Sequence, residues 1–146
     1  MANLTDTSCL IMRKYLVAQE LFTLPSDSDD WPLYATSLPD NDNNAGLVVD
    51  NQDVIDGRLM STGENIKHYA ISVIVRASDY ETGWLKAKSI LTDFCAVQNI
   101  TVVVGSNSYQ LGAVTKNSGI LFLGMEPGTK RRYMFRLNCN ITLEEL

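Results

Sequence analysis

The sequence predicts an α+β fold: one domain over residues 1–146, with a mostly antiparallel (mixed) β-sheet and two α-helices packed on one of its faces. Three observations carry this. Residues 68–77 alternate with a period of two, placing Tyr69, Ile71, Val73, Val75 and Ala77 on one face and His68, Ser72 and Arg76 on the other. Directly behind them Tyr80, Trp84, Ala87, Ile90, Leu91 and Phe94 recur at steps of three and four, the stripe of an amphipathic helix. Near the C-terminus Tyr133, Phe135, Leu137, Cys139 and Ile141 alternate with Met134, Arg136, Asn138 and Asn140, a second long strand with one buried face.

Taken in order, residues 5–22 predict a first helix. Leu10, Ile11, Tyr15, Val17, Ala18, Leu21 and Phe22 form its apolar side, and Arg13, Lys14, Gln19 and Glu20 its wet side. Pro25 and the polar run at 26–30 end it. Residues 31–35 form a short edge strand, because Pro32 has no N–H to give a central ladder. Residues 38–46, rich in Asn and Asp, are a loop, and residues 47–49 a brief extended piece, so 25–50 is expected to be the flexible region. Asp56-Gly57 is a turn signal, after which residues 58–62 and 67–77 form a hairpin joined around Gly63-Glu64. Asp79 sits where an N-cap belongs for the second helix. Residues 100–104 then make a short buried strand, and residues 105–108 turn it into residues 109–114. A further strand at 120–123 closes at Gly124, and a turn at 126–129 leads into the last strand, 130–142.

A chain of 146 residues suffices for one domain with a real core, and its 45% hydrophobic and 20% charged content is ordinary for a globular protein. The net charge of −5 argues against nonspecific attraction to nucleic acid as a property of the whole molecule. No secretory leader and no apolar run of membrane-spanning length is read, so the expected setting is a cytoplasm, without a membrane. Cys9, Cys95 and Cys139 are expected to be small buried hydrophobes.

Chemistry is sparse. His68 is the only histidine, which removes Ser-His-Asp triads and multi-histidine metal sites; a surface or interface side chain is the default for it. Asp40, Asp42 and Asn44 lie in a run that resembles the start of a calcium loop. Ala45 then stands where that loop needs Gly, and Asn51 where it needs Glu, so a solvated loop is the better reading. None of the glycines at 105, 112, 119 and 124 opens a helix with phosphate-loop spacing. Lys130, Arg131 and Arg132, with Arg136 beyond, are the one concentration of positive charge. They read either as a solvated strand entrance that discourages edge-to-edge pairing or as a contact to phosphate or an acidic partner. The expectation is a non-enzymatic protein with no catalytic residue, metal or cofactor.

One family is resembled. The segment 70–90, Ala-Ile-Ser-Val-Ile-Val-Arg-Ala-Ser-Asp-Tyr-Glu-Thr-Gly-Trp-Leu-Lys-Ala-Lys-Ser-Ile, is similar to the strand-to-helix signature of bacteriophage tail-terminator proteins, also called tail-completion or minor capsid proteins. Gly119-Ile-Leu-Phe-Leu-Gly124 and Arg132-Tyr-Met-Phe-Arg-Leu-Asn138 are similar to that family's closing hairpin. The likeness runs from about residue 56 to 142 and takes in the first helix loosely, whereas residues 25–50 match nothing in the family. The resemblance implies a tail-terminator-like fold and a structural virion protein of a long-tailed phage, assembled in the host bacterial cytoplasm. It implies a homo-oligomeric ring, commonly a hexamer, that caps the tail tube, ends its polymerisation and offers the head-tail joining surface. The implied partners are further copies of the chain, the major tail-tube protein and a head-completion or neck protein. DNA would pass through the ring without specific binding, which the acidic balance suits. Asp40, Asp42, Asn44, Lys130, Arg131, Arg132 and Arg136, with the strand edges, are the candidate interface. Two alternatives stand beside this reading: another neck or head-completion protein, and a small binding module with Arg131, Arg132 and Arg136 as its footprint.

Overall fold

The computed structural model describes residues 7–23, 31–35, 44–50, 54–58, 65–116, 119–125 and 132–145. Along the chain run helix α1 (Ser8–Ala18), strands β1 (Leu33–Ala35), β2 (Ala45–Asp50), β3 (Val54–Arg58) and β4 (Asn65–Ala77), helix α2 (Tyr80–Cys95), and strands β5 (Ile100–Val104), β6 (Asn107–Lys116), β7 (Leu121–Met125) and β8 (Tyr133–Glu145). The class is α+β. Strand order is β1-β2-β4-β8-β6-β5, with β3 added on β4 and β7 on β8. Only β1 and β2 run parallel, so the sheet is mixed and mostly antiparallel.

The two 13-residue strands β4 and β8 form its spine. Their register sets Ile71 opposite Cys139, Val73 opposite Leu137 and Val75 opposite Phe135. All six are at most 1% exposed. The alternation read from the sequence at 69–77 and 133–141 therefore faces the core, and each such side chain contributes about 1.5–3 kcal/mol of burial. The opposite face of β4 is not open to water either: Ser72 is 0% and Arg76 2% exposed.

Helix α1 turns a different side inward from the one its sequence stripe indicates. Ser8, Cys9, Ile11, Met12, Tyr15 and Leu16 are buried, while Leu10 and Val17 are half-buried and Ala18 is exposed. The buried line runs through Ile11, Met12, Tyr15 and Leu16, and Asp50, at the end of β2, holds the N-terminus of the helix in this orientation. Thr7 occupies the N-cap without a side-chain cap bond. The Asp50 carboxylate takes over, accepting the Ser8 hydroxyl and the Cys9 N–H, the latter at 2.9 Å. A negative acceptor at a helix N-terminus satisfies orphan donors and the dipole together. Replacing Asp50 by Ala should cost about 1–2 kcal/mol, read as a lower denaturant midpoint at unchanged m-value.

The helix also stops earlier than its periodicity. Glu20 takes a left-handed φ of 62°, and Phe22 re-enters the core from outside the helix at 2% exposure. It packs so close to β2 that a Cβ on Gly46 would meet its ring at 2.4 Å. Its ring is edge-on to Trp31, and the Lys86 ammonium of α2 sits 4.9 and 5.1 Å from the two ring centres, a cation–π tie between α2 and the chain after α1.

A second tie joins the helices directly. Tyr15 donates its hydroxyl to Asp93 at 2.5 Å, and its ring stacks on Phe94 at 6.5 Å. Burial, then the bond to the Asp93 carboxylate and its charge, push the Tyr15 phenol well above its ordinary value. The folded chain thus keeps this proton at pH values where the unfolded chain has lost it. Its contribution is whole below about pH 10 and is lost as pH rises above that, by at most about 1.4 kcal/mol per unit. In Tyr15→Phe this part of the alkaline slope should disappear, as chemical denaturation between pH 9 and 11 will read.

Several boundaries differ from the sequence reading. β2 begins at Ala45, two residues before the apolar Leu47-Val48-Val49, because backbone pairing with β4 continues to Arg76. Asp56-Gly57 is not a turn; it lies inside β3, where the register on β4 shifts between Ile55 and Gly57, so the signal marks a bulge. β5 is an edge strand with only Val102 buried. Gly105, with φ +60°, opens the two-residue turn into β6. Gly124, with φ +99°, stands in β7 at a second register shift and does not end the strand. Cys9 and Cys139 are buried, but Cys95, at the last turn of α2, is exposed, and none of the three is in a disulfide.

Candidate assembly surface

The site is built by one strand edge and one helix turn. β6 and β7 line up along the same edge of β8: β6 pairs with residues 139–145 and β7 with residues 133–136. β5 covers the outer edge of β6 as far as Leu111. Among the described residues nothing pairs with the outer edge of β7. Its N–H and C=O groups form the kind of row to which another chain can add.

This edge carries large apolar side chains where an unprotected edge would ordinarily carry charge. Leu121, Phe122, Leu123 and Met125 are 40–50% exposed. Phe122 packs against Tyr80, in the first turn of α2, at 5.2 Å between ring centres, and against Phe135 at 5.3 Å. Tyr80 in turn meets Phe135 at 5.2 Å and Tyr133 at 5.8 Å. Phe135 is the fully buried floor of this cluster; Tyr80, at 44%, and Phe122, at 49%, are its open rim. Trp84, one helical turn on from Tyr80, is 39% exposed. The half-open side chains of β7 lie on both faces of the strand: Phe122 shares the face of Tyr80 and Phe135, whereas Leu121, opposite Arg136, lies on the other.

The sequence placed Tyr80 and Trp84 in the buried stripe of α2, and the structure corrects this. Asp79 does cap the helix, accepting the Thr82 N–H at 3.3 Å. The buried line is instead Gly83, Ala87, Ile90 and Phe94. Gly83 decides it: a Cβ there would stand 2.6 Å from the Phe135 ring and 3.1 Å from the Ala77 side chain. The helix approaches the sheet through its smallest residues, so the bulky Tyr80 and Trp84 straddle the contact and stay open. A glycine followed by Ala87, Ile90 and Phe94 at steps of four, three and four was the signal available in the sequence.

The residues singled out earlier fall elsewhere. Asp40, Asp42, Lys130 and Arg131 lie outside the described residues, as does the side chain of His68. Asn44 accepts the Ser78 N–H at 3.1 Å, bracing the β4–α2 joint against the start of β2. Arg132 is 1% exposed, so it is not a solvated strand entrance. Arg136 is held within the sheet. Its guanidinium donates to the Ser72 hydroxyl at 2.9 Å and to the Asn138 amide oxygen at 3.0 Å, while Ser72 itself donates to Asn138 at 2.7 Å. Of these three, Arg136 lies beside β7, opposite Leu121 on that strand's inner side.

An open groove of about 650 Å³ lies along α2, lined by Leu21, Leu85, Lys88, Ser89, Thr92 and Asp93. Its two hydroxyls are committed to their own helix, Ser89 to the Leu85 carbonyl and Thr92 to that of Lys88, both at 2.9 Å. A smaller groove of about 180 Å³ separates α1 from β5, between Lys14, Tyr15, Ala18 and Gln19 on one side and residues 100–103 on the other. Among the described residues no three His, Cys, Asp or Glu side chains are grouped as a metal site, and no helix is long and apolar enough to cross a membrane. Compared with protein-family models and with curated proteins, the chain matches none.

Proposed function

We propose that the chain is a non-enzymatic structural protein of a phage particle, a tail-terminator-like subunit with both helices on one sheet face. It closes with further copies of itself into a ring, six being the expected number, that caps the tail tube. The ring ends tube polymerisation and presents its other face to a head-completion protein. The observation that carries this reading is the β7 edge, which has no strand partner among the described residues and carries exposed Phe122 and Met125 beside Tyr80 instead of the charge or proline that ordinarily protects an edge. The strand-to-helix segment at 70–90 supplies the family likeness. Ring closure satisfies such edges without leaving a terminal one. The net charge of −5 lets DNA pass through the opening without being held.

The test is solution mass by light scattering across protein concentration, with electron micrographs of the same samples and of samples mixed with purified tail tubes. A closed ring with an opening near the ~20 Å width of duplex DNA, or density at one tube end, is the expected outcome. A monomer at every concentration that also leaves tubes undecorated would overturn the reading.

A further inference from the structure

The β7 edge has a counterpart in the same molecule, and we infer that β7 of one copy pairs with the outer edge of β5 in the next. This rests on the ring reading and names the contact through which the ring closes. β5 is the terminal strand at the far end of the sheet order; like β7 it has no second strand partner among the described residues, and α1 packs beside it across a groove. The two edges match in length, five residues each, and a regular ladder can form on either side of the β7 bulge between Phe122 and Gly124.

The side chains match as well. On β5, Val102 faces the core while Thr101 and Val103 are exposed, Val103 at 49%. On β7, Leu121 sits opposite Arg136 and Phe122 opposite Phe135, so Leu121 lies on the sheet face away from the core cluster. Continuing the sheet from β7 into β5 sets Leu121 beside Thr101 and Val103. On the other face, Phe122 and Met125 reach the groove between α1 and β5, whose walls include Ile100, Val102 and the aliphatic part of Lys14. The four exposed side chains of β7, Leu121, Phe122, Leu123 and Met125, then form the middle of a contact that needs about 800 Å² per partner to be stable. β5 and β7 are different surfaces, so the contact is heterologous. Such contacts repeat head to tail and close into a ring where their rotation closes, whereas a β7–β7 contact stops at a dimer.

Cysteine cross-linking tests this in a Cys95→Ser background, since Cys95 is the exposed thiol and Cys9 and Cys139 are buried. Leu121→Cys or Leu123→Cys, carried on a size-tagged chain, is mixed with untagged Thr101→Cys or Val103→Cys and oxidised. Directly opposed residues on paired strands have Cα atoms about 4.5–5.5 Å apart, within disulfide reach. The expected result is a mixed disulfide in at least one of the four combinations, confined to the assembled fraction and lost when Phe122→Asp is added. Assembly without any mixed disulfide, or with disulfides only between two β7 cysteines, overturns the β7–β5 pairing and leaves the ring reading standing. Failure to assemble, alone or on tail tubes, overturns both.

Discussion

Phe122→Asp should abolish assembly while leaving the subunit folded. The ring is 49% exposed, so the isolated chain loses only part of one side chain's burial and its ring contacts with Tyr80 and Phe135. Each such ring pair is worth about 0.5–1.5 kcal/mol beyond burial. At an interface the same residue would be an aromatic anchor. A carboxylate there must be desolvated without a partner, which costs 2 kcal/mol or more and weakens each subunit contact at least about 30-fold. The measurement is a pair: the thermal midpoint of the monomer, expected to move by a few degrees, and scattering mass, expected to fall to that of one chain. Leu123→Asp, 50% exposed at the same edge, should behave alike. If both variants assemble at unchanged concentration, β7 is not the contact strand.

Phe135→Ala should be the most destabilising single truncation around this surface. Phe135 is fully buried, faces Val75 across the β4–β8 ladder, and lies under Tyr80, Phe122 and Gly83. Removing it costs the transfer term and leaves a cavity, about 3–5 kcal/mol together, a large share of the stability of a chain this size. At the usual scale this lowers the thermal midpoint by roughly 10–15 °C. Gly83 provides the internal check. Gly83→Ala gains helix propensity, about 1 kcal/mol, but its Cβ would stand 2.6 Å from the Phe135 ring, and forcing that gap costs about 1–3 kcal/mol. Once Phe135 is alanine the ring contact is gone and only the 3.1 Å approach to the Ala77 side chain remains. Gly83→Ala should therefore cost clearly less in Phe135→Ala than in the native chain. Independent effects at the two sites would mean that the helix does not rest on this ring.

The long elements were legible because each announces itself within its own segment. Residues 69–77 and 133–141 carry an apolar side chain at every second position, the mark of a strand face turned to the core. Asp79 announced its cap through local geometry. The short elements carried less. Asp56-Gly57 has the composition of a turn, but pairing with β4 on both sides holds it in a bulged strand. β5 reads as buried from Ile-Thr-Val-Val-Val, and only its place at the end of the sheet leaves Val103 outside.

The sequence by itself determined the class, the two long strands, the existence of both helices and the faces that β4 and β8 turn to the core. These follow from periodicity and caps, which are properties of contiguous residues. Tertiary structure decided how each helix is rolled about its axis and which edge stays open. The N-terminus of helix α1 is held by a carboxylate 42 residues beyond Ser8, and α2 follows the close approach of Gly83 to a ring in β8. A rotation of one residue is nearly silent in a hydrophobic pattern where apolar side chains surround the stripe. It is nonetheless what turned Tyr80 and Trp84 from expected core into the rim of an exposed aromatic surface.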